Sequence, residues 1–354
     1  MYMDHPVVRE DLEMIYKSEE VGWGNLSGKS FLITGATGML LSYLVFFLIH
    51  LNECKQIPIE IYIFVRSENK AKRIFGDYLT KKYIHLVFGD LCEEFSLEMD
   101  VDYIIHGASI TSPQYYETNP VETLLPNVLG TYQLLEYARK HPVLNFLFLS
   151  SGAVYGNQIG DSVVRETDGG WVDPLSTKAC YSESKRMGET MCLAWFRQYH
   201  IPTRIVRIRH TYGPTMNLQN DDRSFSYFFN CLMRGNDIVL NSDGSEEVEF
   251  LYISDAIKGI LRILLRGQDG EAYNLGNSKE RIAISKLAEL ILSFEPDKQL
   301  QVIKPQGMPS KHGLKRRTDT SKLEKLGWNP QVSIKTGFNR TYEALTPMRD
   351  YSTI

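Results

Sequence analysis

The sequence predicts an α/β fold: a doubly wound parallel sheet followed by a smaller C-terminal α/β domain. Short apolar runs alternate with longer helical stretches through the first half, as expected for βαβ units. These runs are apolar throughout, which indicates strands buried on both faces. A glycine-rich turn joins the first run to a long apolar helix. Together these observations favour a parallel sheet covered by helices on both sides.

The elements of the first half can be placed in chain order. An N-terminal surface helix is expected over 9–20, ahead of the first strand. Pro120 and Pro126 interrupt the chain before the third helix that follows the glycine turn. The predicted strands are 30–34, 59–65, 85–88, 103–106, 145–150 and 203–208, and the predicted helices between them are 39–51, 68–78, 128–140 and 183–199.

The pattern changes after Gly213 and Pro214. Irregular polar stretches now separate helices predicted over 254–265 and 285–294. We therefore expect a helical extension over 1–27, a nucleotide-binding domain over 28–213, and a substrate-binding domain over most of 214–345. The last part is expected to be interleaved with the main sheet.

Composition argues against binding to nucleic acid or membranes. The 354 residues carry a net charge of -4, too small to indicate either partner. The apolar run over 31–51 is long enough to span a membrane, but glycines, hydroxyl residues and His50 interrupt it. The five cysteines form no C-x-x-C pair, so we expect reduced thiols and no metal site. The start of the chain lacks a signal-peptide pattern, and we expect a cytoplasmic protein.

The turn after the first strand is typical of dinucleotide binding. Gly35 permits the tight turn, and Gly38 lets the backbone approach a pyrophosphate at the positive N-terminus of the next helix. Two glycines alone are common in ordinary turns, but the flanking strand and helix strengthen the signal. The pattern predicts a Rossmann-type site for NAD.

Residues at the ends of the second and third strands bear on the choice of cofactor. An acid there would hold the ribose hydroxyls of NAD, and an arginine would favour the 2′-phosphate of NADP. Arg66 stands here, which leaves NADP open beside NAD; otherwise it is an arginine in a solvated loop. Asp90 ends the third strand and either receives the adenine amino group or only forms a turn.

Tyr181 and Lys185 lie four residues apart, which places both side chains on one face of a helix. An ammonium beside a phenol favours its ionised form and lowers a pKa that is ordinarily about 10. Such a phenol acts as an acid or base near neutral pH. A hydroxyl from Ser150 or Ser151, upstream, would hold an alcohol or ketone oxygen. The group indicates hydride transfer with a nicotinamide cofactor.

Seven motifs stand in register along the chain, and together they are far more specific than any one alone. They are Gly35-x-x-Gly38, Gly89-Asp90-Leu91, His106-Gly107-Ala108-Ser109, Asn127-Val128-x-Gly130-Thr131, Ser150-Ser151-Gly152-Ala153-Val154-Tyr155-Gly156, Tyr181-x-x-x-Lys185 and Tyr212-Gly213-Pro214. In these the chain resembles the extended short-chain dehydrogenase/reductase family, specifically its nucleotide-sugar epimerase/dehydratase branch. The resemblance runs from about Gly28 to Pro330.

The resemblance implies an NAD(P)-dependent enzyme that acts on a nucleotide-diphosphate sugar. It also implies a homodimer, paired through the helix of Tyr181 and the helix from Val128. Tyr181 would be the acid/base, Lys185 would bind the nicotinamide ribose, and Ser151 would be the catalytic serine. By position, the cofactor-binding residues are Gly35, Thr37, Gly38, Met39, Arg66, Asp90, Leu91, Ala108, Asn127, Tyr181 and Lys185. The substrate-binding residues are Ser109, Ser151, His210, Arg223 and Arg316.

Three departures from the family pattern concern the reaction and the substrate. Gly152 and Ala153 stand where dehydratases and decarboxylases carry a carboxylate, which disfavours those two reactions. His210 replaces an asparagine; it either touches the sugar or a phosphate, or is a hydrogen-bonded histidine at a strand end. Glu-Glu-Val-Glu at 246–249 replaces a diphosphate-binding arginine, and acids repel a diphosphate. The candidates to replace that arginine are Arg223, Arg316 and Arg317.

We therefore expect oxidation of a hexose at C4, with epimerisation as the leading outcome. Hydride would return to the opposite face after the ring turns over. A nucleotide 4-keto-sugar reductase using NADPH ranks next, and a dehydratase or decarboxylase ranks below it. The alternative outside enzymes is a dinucleotide-binding sensor or structural partner, which would have no need of Ser151, Tyr181 and Lys185.

Overall fold

The computed structural model describes residues 2–18, 22–95, 97–156, 163–218, 221, 223–304 and 317–346. Its strands are β1 (Lys29–Thr34), β2 (Ile59–Val65), β3 (Ile84–Phe88), β4 (Tyr103–His106), β5 (Asn145–Ser151), β6 (Val163–Val164), β7 (Thr203–Ile208), β8 (Thr211–Tyr212), β9 (Ile238–Val239), β10 (Glu247–Val248), β11 (Leu251–Tyr252), β12 (Glu271–Leu275), β13 (Ile282–Ala283), β14 (Val302–Ile303) and β15 (Arg317–Thr318).

The α-helices of the same residues lie between these strands. They are α1 (Pro6–Tyr16), α2 (Met39–Lys55), α3 (Glu68–Phe75), α4 (Pro113–Thr118), α5 (Pro120–Leu125), α6 (Thr131–Lys140), α7 (Ala179–Tyr199), α8 (Ser224–Arg234), α9 (Ile253–Arg266), α10 (Ile284–Leu292), α11 (Ser321–Glu324) and α12 (Ile334–Leu345). None of them has both the length and the apolar character needed to cross a bilayer.

Seven strands form the central sheet in the order β12-β7-β5-β4-β1-β2-β3, and all neighbouring pairs run parallel. The strand order reverses beside β1, which has β2 on one side and β4 on the other. Ligands of open parallel sheets bind at such a switch point, beyond the carboxyl ends of the strands. The predicted doubly wound parallel sheet is confirmed.

Side chains of β1 alternate between the two faces of this sheet. Phe31 and Ile33 belong to one apolar core, which includes buried residues of α1, α2 and α9. Leu32 belongs to a second core with buried residues of α6 and α7. Both faces are covered, which explains why the strands are apolar throughout.

Two predicted helices of the first half end differently in the structure. The helix predicted over 68–78 is α3 only as far as Phe75, because Gly76 takes φ 52° and a short 3₁₀ turn follows. The helix predicted over 128–140 begins with a π-helical turn, Pro126–Gly130, before α6.

The second half of the chain returns to the central sheet. β12 pairs with β7 at the sheet edge, while β8 pairs with β11 and β10 with β13 in separate two-stranded ladders. The boundaries at 27, 213 and 345 stay a prediction.

The N-terminal helix is buried, and its prediction as a surface helix over 9–20 is wrong. In α1, Asp11, Leu12 and Ile15 are all fully buried. The Asp11 carboxylate accepts hydrogen bonds from the Tyr43 hydroxyl at 2.5 Å and the Tyr252 hydroxyl at 2.6 Å. It also pairs with Arg340 of α12 at 2.8 Å. α1 thus connects the cofactor helix α2 to the second half of the chain.

Candidate active site

A cleft of about 940 Å³ opens at the carboxyl edge of the central sheet. Among the predicted cofactor and substrate residues that the structure describes, all but Asn127 line it. Arg316 lies outside the described residues. Arg317 begins β15, is exposed and does not line the cleft. The site is therefore built from the ends of β1, β2, β3, β4, β5 and β7 together with loops of the second half.

The glycine turn after β1 fits a bound pyrophosphate. Gly35 takes φ +76°, and a Cβ there would come within 2.7 Å of the backbone of Gly107 and Ala108. Gly38 precedes α2, and no side chain caps the first turn of that helix. Uncapped N–H groups at a helix N-terminus bind anions. The backbone therefore offers the cradle that a dinucleotide requires.

The adenosine end of the cleft carries Arg66 and Asp90. Arg66 Nη1 lies 3.6 Å from Asp90 Oδ2, and the arginine side chain is 67% exposed. The pKa of Asp90 is lowered, first by the Cys92 N–H, which donates to it, and also by Arg66. Arg66 thus neutralises an acid that was predicted to contact adenine.

The structure brings Ser151, Tyr181 and Lys185 together. Ser151 ends β5, and its side chain lies close enough to the buried Tyr181 of α7 for a hydrogen bond between them to influence the Tyr181 pKa. Lys185 is also buried; its Nζ donates to the Leu149 carbonyl at 2.7 Å and lies 5.9 Å from the centroid of the Tyr181 ring. The Ser150 hydroxyl instead donates to Glu189 at 2.5 Å. Both serines line the cleft, and the choice of Ser151 over Ser150 stays a prediction.

The charge states of this group differ from the sequence-based expectation. Burial raises the pKa of Tyr181, and the Ser151 hydrogen bond and the Arg223 charge oppose that rise. Burial lowers the pKa of Lys185 to about 7, although Glu189 acts in the opposite direction. The expected lowering of the Tyr181 pKa by Lys185 is therefore not seen in the chain alone, because burial disfavours the charged form of both groups.

Asn127 was predicted to contact the cofactor, but it does not line the cleft. Its side-chain amide is fully buried and donates to the Thr123 carbonyl at 3.0 Å and the Ser184 hydroxyl at 3.1 Å. It supports the helix that carries Tyr181.

Charged groups crowd the substrate end of the cleft. Arg223 Nε donates to Asp221 at 2.7 Å, and Arg223 Nη1 donates to the Thr211 carbonyl at 3.1 Å. His210 is exposed to the cleft, but the protein packed around it and the charges of Arg209 and Arg223 lower its pKa to about 4, so this side chain is neutral at pH 7. The acidic stretch at 246–249 also lines the cleft and is not simply a solvated face. Within it, buried Glu249 accepts a hydrogen bond from the Thr318 N–H at 2.9 Å.

Two of the cleft residues that the sequence analysis did not predict lie against predicted ones. The Tyr116 ring stacks on the Tyr181 ring with centroids 4.9 Å apart. Arg209 follows β7 and lies against Gly152. Arg209 has a signal in the sequence, because residues just after apolar parallel strands face such clefts. For Tyr116 we find no such signal, since α4 is short and its packing is long-range.

Comparison with known proteins agrees with this geometry. The profile of the NAD dependent epimerase/dehydratase family matches residues 31–276. The chain belongs to this family. The predicted family resemblance is confirmed, and the protein is an enzyme of the NAD-dependent epimerase/dehydratase family.

Relatives and solved structures of this family are similar over nearly the whole chain. UDP-glucuronic acid decarboxylase 6 of Arabidopsis thaliana is 33% identical over 315 residues, which are 88% of this chain and 87% of that protein. Epimerase Mth375 of Methanothermobacter thermautotrophicus matches with a TM-score of 0.76 and 23% identity, over 98% of each chain. UDP-glucuronic acid 4-epimerase of Bacillus cereus, solved with UDP-glucuronic acid and NAD, has a TM-score of 0.73 and 22% identity, over 90% of this chain and 99% of that one.

Proposed function

We propose that this enzyme uses NAD to oxidise C4 of a UDP-linked hexuronic acid and then releases the C6 carboxyl group as CO₂. The observation that carries the proposal is the Ser151, Tyr181 and Lys185 group beside the glycine turn of β1. The choice of a uronic acid and of decarboxylation rests on the relative that is 33% identical. It departs from our expectation of a plain epimerase.

The described residues fit NAD. The turn at Gly35 and the start of α2 would hold the pyrophosphate, and Lys185 would contact the nicotinamide ribose. Bound NAD would supply the hydride acceptor at C4 and return the hydride at the end of the cycle.

Tyr181 would take the proton of the C4 hydroxyl as the C4–H bond breaks. Ser151 would donate a hydrogen bond to the same oxygen. The charge of Arg223 and the Ser151 hydrogen bond both favour the ionised phenol that this step requires. When the ketone is reduced again, Tyr181 would return the proton to the C4 oxygen.

Loss of CO₂ from the oxidised sugar needs no acid at position 153. The carboxyl carbon is β to the C4 ketone, so the electrons of the breaking C5–C6 bond flow into the ketone and form an enolate. That step removes no proton, and a proton from water then adds to C5. Ala153, which we took as disfavouring decarboxylation, is therefore compatible with it.

A 4-epimerase that keeps the carboxyl group is the second candidate. Ala153 suits it as well, because neither oxidation at C4 nor return of the hydride needs a side-chain acid at position 153. The first oxidation step is the same in both reactions.

The test is to incubate the purified enzyme with NAD and UDP-glucuronic acid and to follow the sugar by NMR. A UDP-pentose and one equivalent of CO₂ support decarboxylation. A C4 epimer without CO₂ supports the second candidate. A sugar unchanged by NAD, with turnover only of a 4-keto sugar and NADPH, would contradict both and support a reductase.

A homodimer is part of this proposal. Apolar side chains stay exposed along α5 to α7, among them Val121 at 60%, Tyr132 at 48% and Met187 at 48%. Exposed apolar groups on neighbouring helices suit an interface between two copies. Light scattering should give twice the 40.6 kDa chain mass. A monomer at micromolar concentration would contradict it.

A further inference from the structure

Arg209 enters the cleft directly beside the catalytic serine. Ile208, the last residue of β7, pairs with Ser151 of β5 on one side and with Leu275 of β12 on the other. The next residues along these strands are Gly152, Arg209 and Gly276. Because the strands are parallel and in register, Arg209 lies between the two glycines.

Both glycines make room for the arginine side chain. A Cβ on Gly152 would come within 2.7 Å of Arg209 Cδ and would also overlap the guanidinium. A Cβ on Gly276 would come within 2.9 Å of Arg209 Cγ. Close-packed interiors do not tolerate such overlaps without a shift of neighbouring atoms. The guanidinium therefore stands over the backbone of the residue that follows Ser151.

The other polar groups at this end of the cleft act differently. Arg223 is held by a bidentate pair of hydrogen bonds, in which Nε and Nη2 donate to the two carboxylate oxygens of Asp221. His210 is neutral at pH 7, since the surrounding protein and the charges of Arg209 and Arg223 lower its pKa to about 4. Glu249 lies close enough for the charge of Arg209 to lower its pKa, although burial raises the pKa of Glu249 overall. Arg209 thus follows directly after Ile208, the register partner of the serine that would hold the C4 oxygen.

We propose that Arg209 binds the carboxylate of the substrate's uronic acid and so selects an acidic sugar over a neutral one. This inference rests on the proposed function. The carboxylate is carried by C5, the ring carbon bonded to C4, so it must lie near the residues that flank the C4 oxygen. A planar guanidinium forms paired hydrogen bonds with a carboxylate. Glu246 and Glu247 also line the cleft and would repel the same group.

The test uses calorimetric titration of UDP-glucuronic acid, UDP-glucose and UDP into the full chain with NAD bound. Tyr181→Phe is the parent throughout, so that no substrate turns over. Adding Arg209→Gln should weaken binding of UDP-glucuronic acid about 10- to 100-fold, while binding of UDP and UDP-glucose changes by less than about threefold. Gly152→Ala, which displaces the guanidinium and keeps its charge, should act in the same direction. Arg197→Gln on the exposed face of α7 is the matched control.

Each other outcome overturns a different statement. Unchanged binding of UDP-glucuronic acid to the Arg209→Gln variant removes the assignment of Arg209 alone. An equal loss for all three ligands assigns Arg209 to the diphosphate or to the fold, and a fall in melting temperature separates those two. A parent that binds none of the three ligands removes the proposed function, and the Arg209 assignment with it.

Discussion

The two ends of the cleft are built in different ways. The cofactor end is mostly backbone: the turn at Gly35, the uncapped start of α2, and one exposed pair, Arg66 and Asp90. The substrate end is made of charged side chains from loops after β7 and around β10, including Arg209 and Glu249. The backbone cradle depends on the sheet itself. Loop side chains can be replaced by residues of opposite charge without disturbing that sheet. We infer that cofactor class is tied to the fold and substrate choice is not.

The largest expected effect is at Tyr181, where the two ends meet. Tyr181→Phe should lower kcat by about 10²- to 10⁴-fold, because proton transfer is lost, and should leave NAD binding intact. NMR assays and NAD titration measure the two quantities. Tyr116→Phe is the control: it keeps the ring stack and removes only a hydroxyl that donates to the Thr111 carbonyl, so kcat should stay within about tenfold. Equal losses in both variants would mean that packing, not the Tyr181 proton, matters.

Asp11 joins α1 to α2 and to the second half of the chain, so its replacement tests whether these parts unfold together. Asp11→Ala removes a buried carboxylate shared by Tyr43, Tyr252 and Arg340, and should lower the free energy of unfolding by about 3 kcal/mol. Urea denaturation measures this. Glu10→Ala, which removes a 64% exposed partner of Arg340, should cost less than about 1 kcal/mol. Two separate unfolding transitions in the Asp11 variant would show that α1 joins units which otherwise unfold independently.

The free energy of unfolding should depend on pH through Lys185. Burial lowers its pKa in the folded chain to about 7. The unfolded chain has a lysine pKa of about 10.4, so between these values it holds a proton that the folded chain lacks. Unfolding free energy should therefore rise with pH across this window, by at most about 1.4 kcal/mol per pH unit. The difference between the wild type and Lys185→Met, without NAD, isolates this contribution. Parallel stability curves for the two proteins would refute it.

Arg66 should give the smallest effect. Since its side chain is 67% exposed and pairs with Asp90 at 3.6 Å, Arg66→Ala should change the Kd for NAD by less than about fivefold. Calorimetric titration with NAD and with NADP measures the Kd for each cofactor. A selective loss of NADP binding greater than about tenfold would make NADP the better-matched cofactor and weaken the contrast between the two ends.

The parts of the site that are formed by residues close together in the chain could be predicted from the sequence, and the parts formed by distant segments could not. The glycine turn and the Tyr181–Lys185 spacing are local, and both lie where predicted. Ser151 was chosen over Ser150 from its place four residues before Tyr155 in the family motif. The burial of α1, the Tyr116 stack and the hydrogen bond from Asn127 to Ser184 could not be predicted, because each depends on contacts between distant segments.

By itself, the sequence determined the parallel sheet and the glycine turn, and it predicted the group of Ser151, Tyr181 and Lys185, because apolar runs and residue spacings act over a few residues. Only the tertiary structure decided that Arg209 stands between Gly152 and Gly276, that Glu249 is buried in the same cleft, and that Lys185 has a pKa of about 7. The reason is physical: strand register brings residues far apart in the chain side by side, and burial then sets their charges.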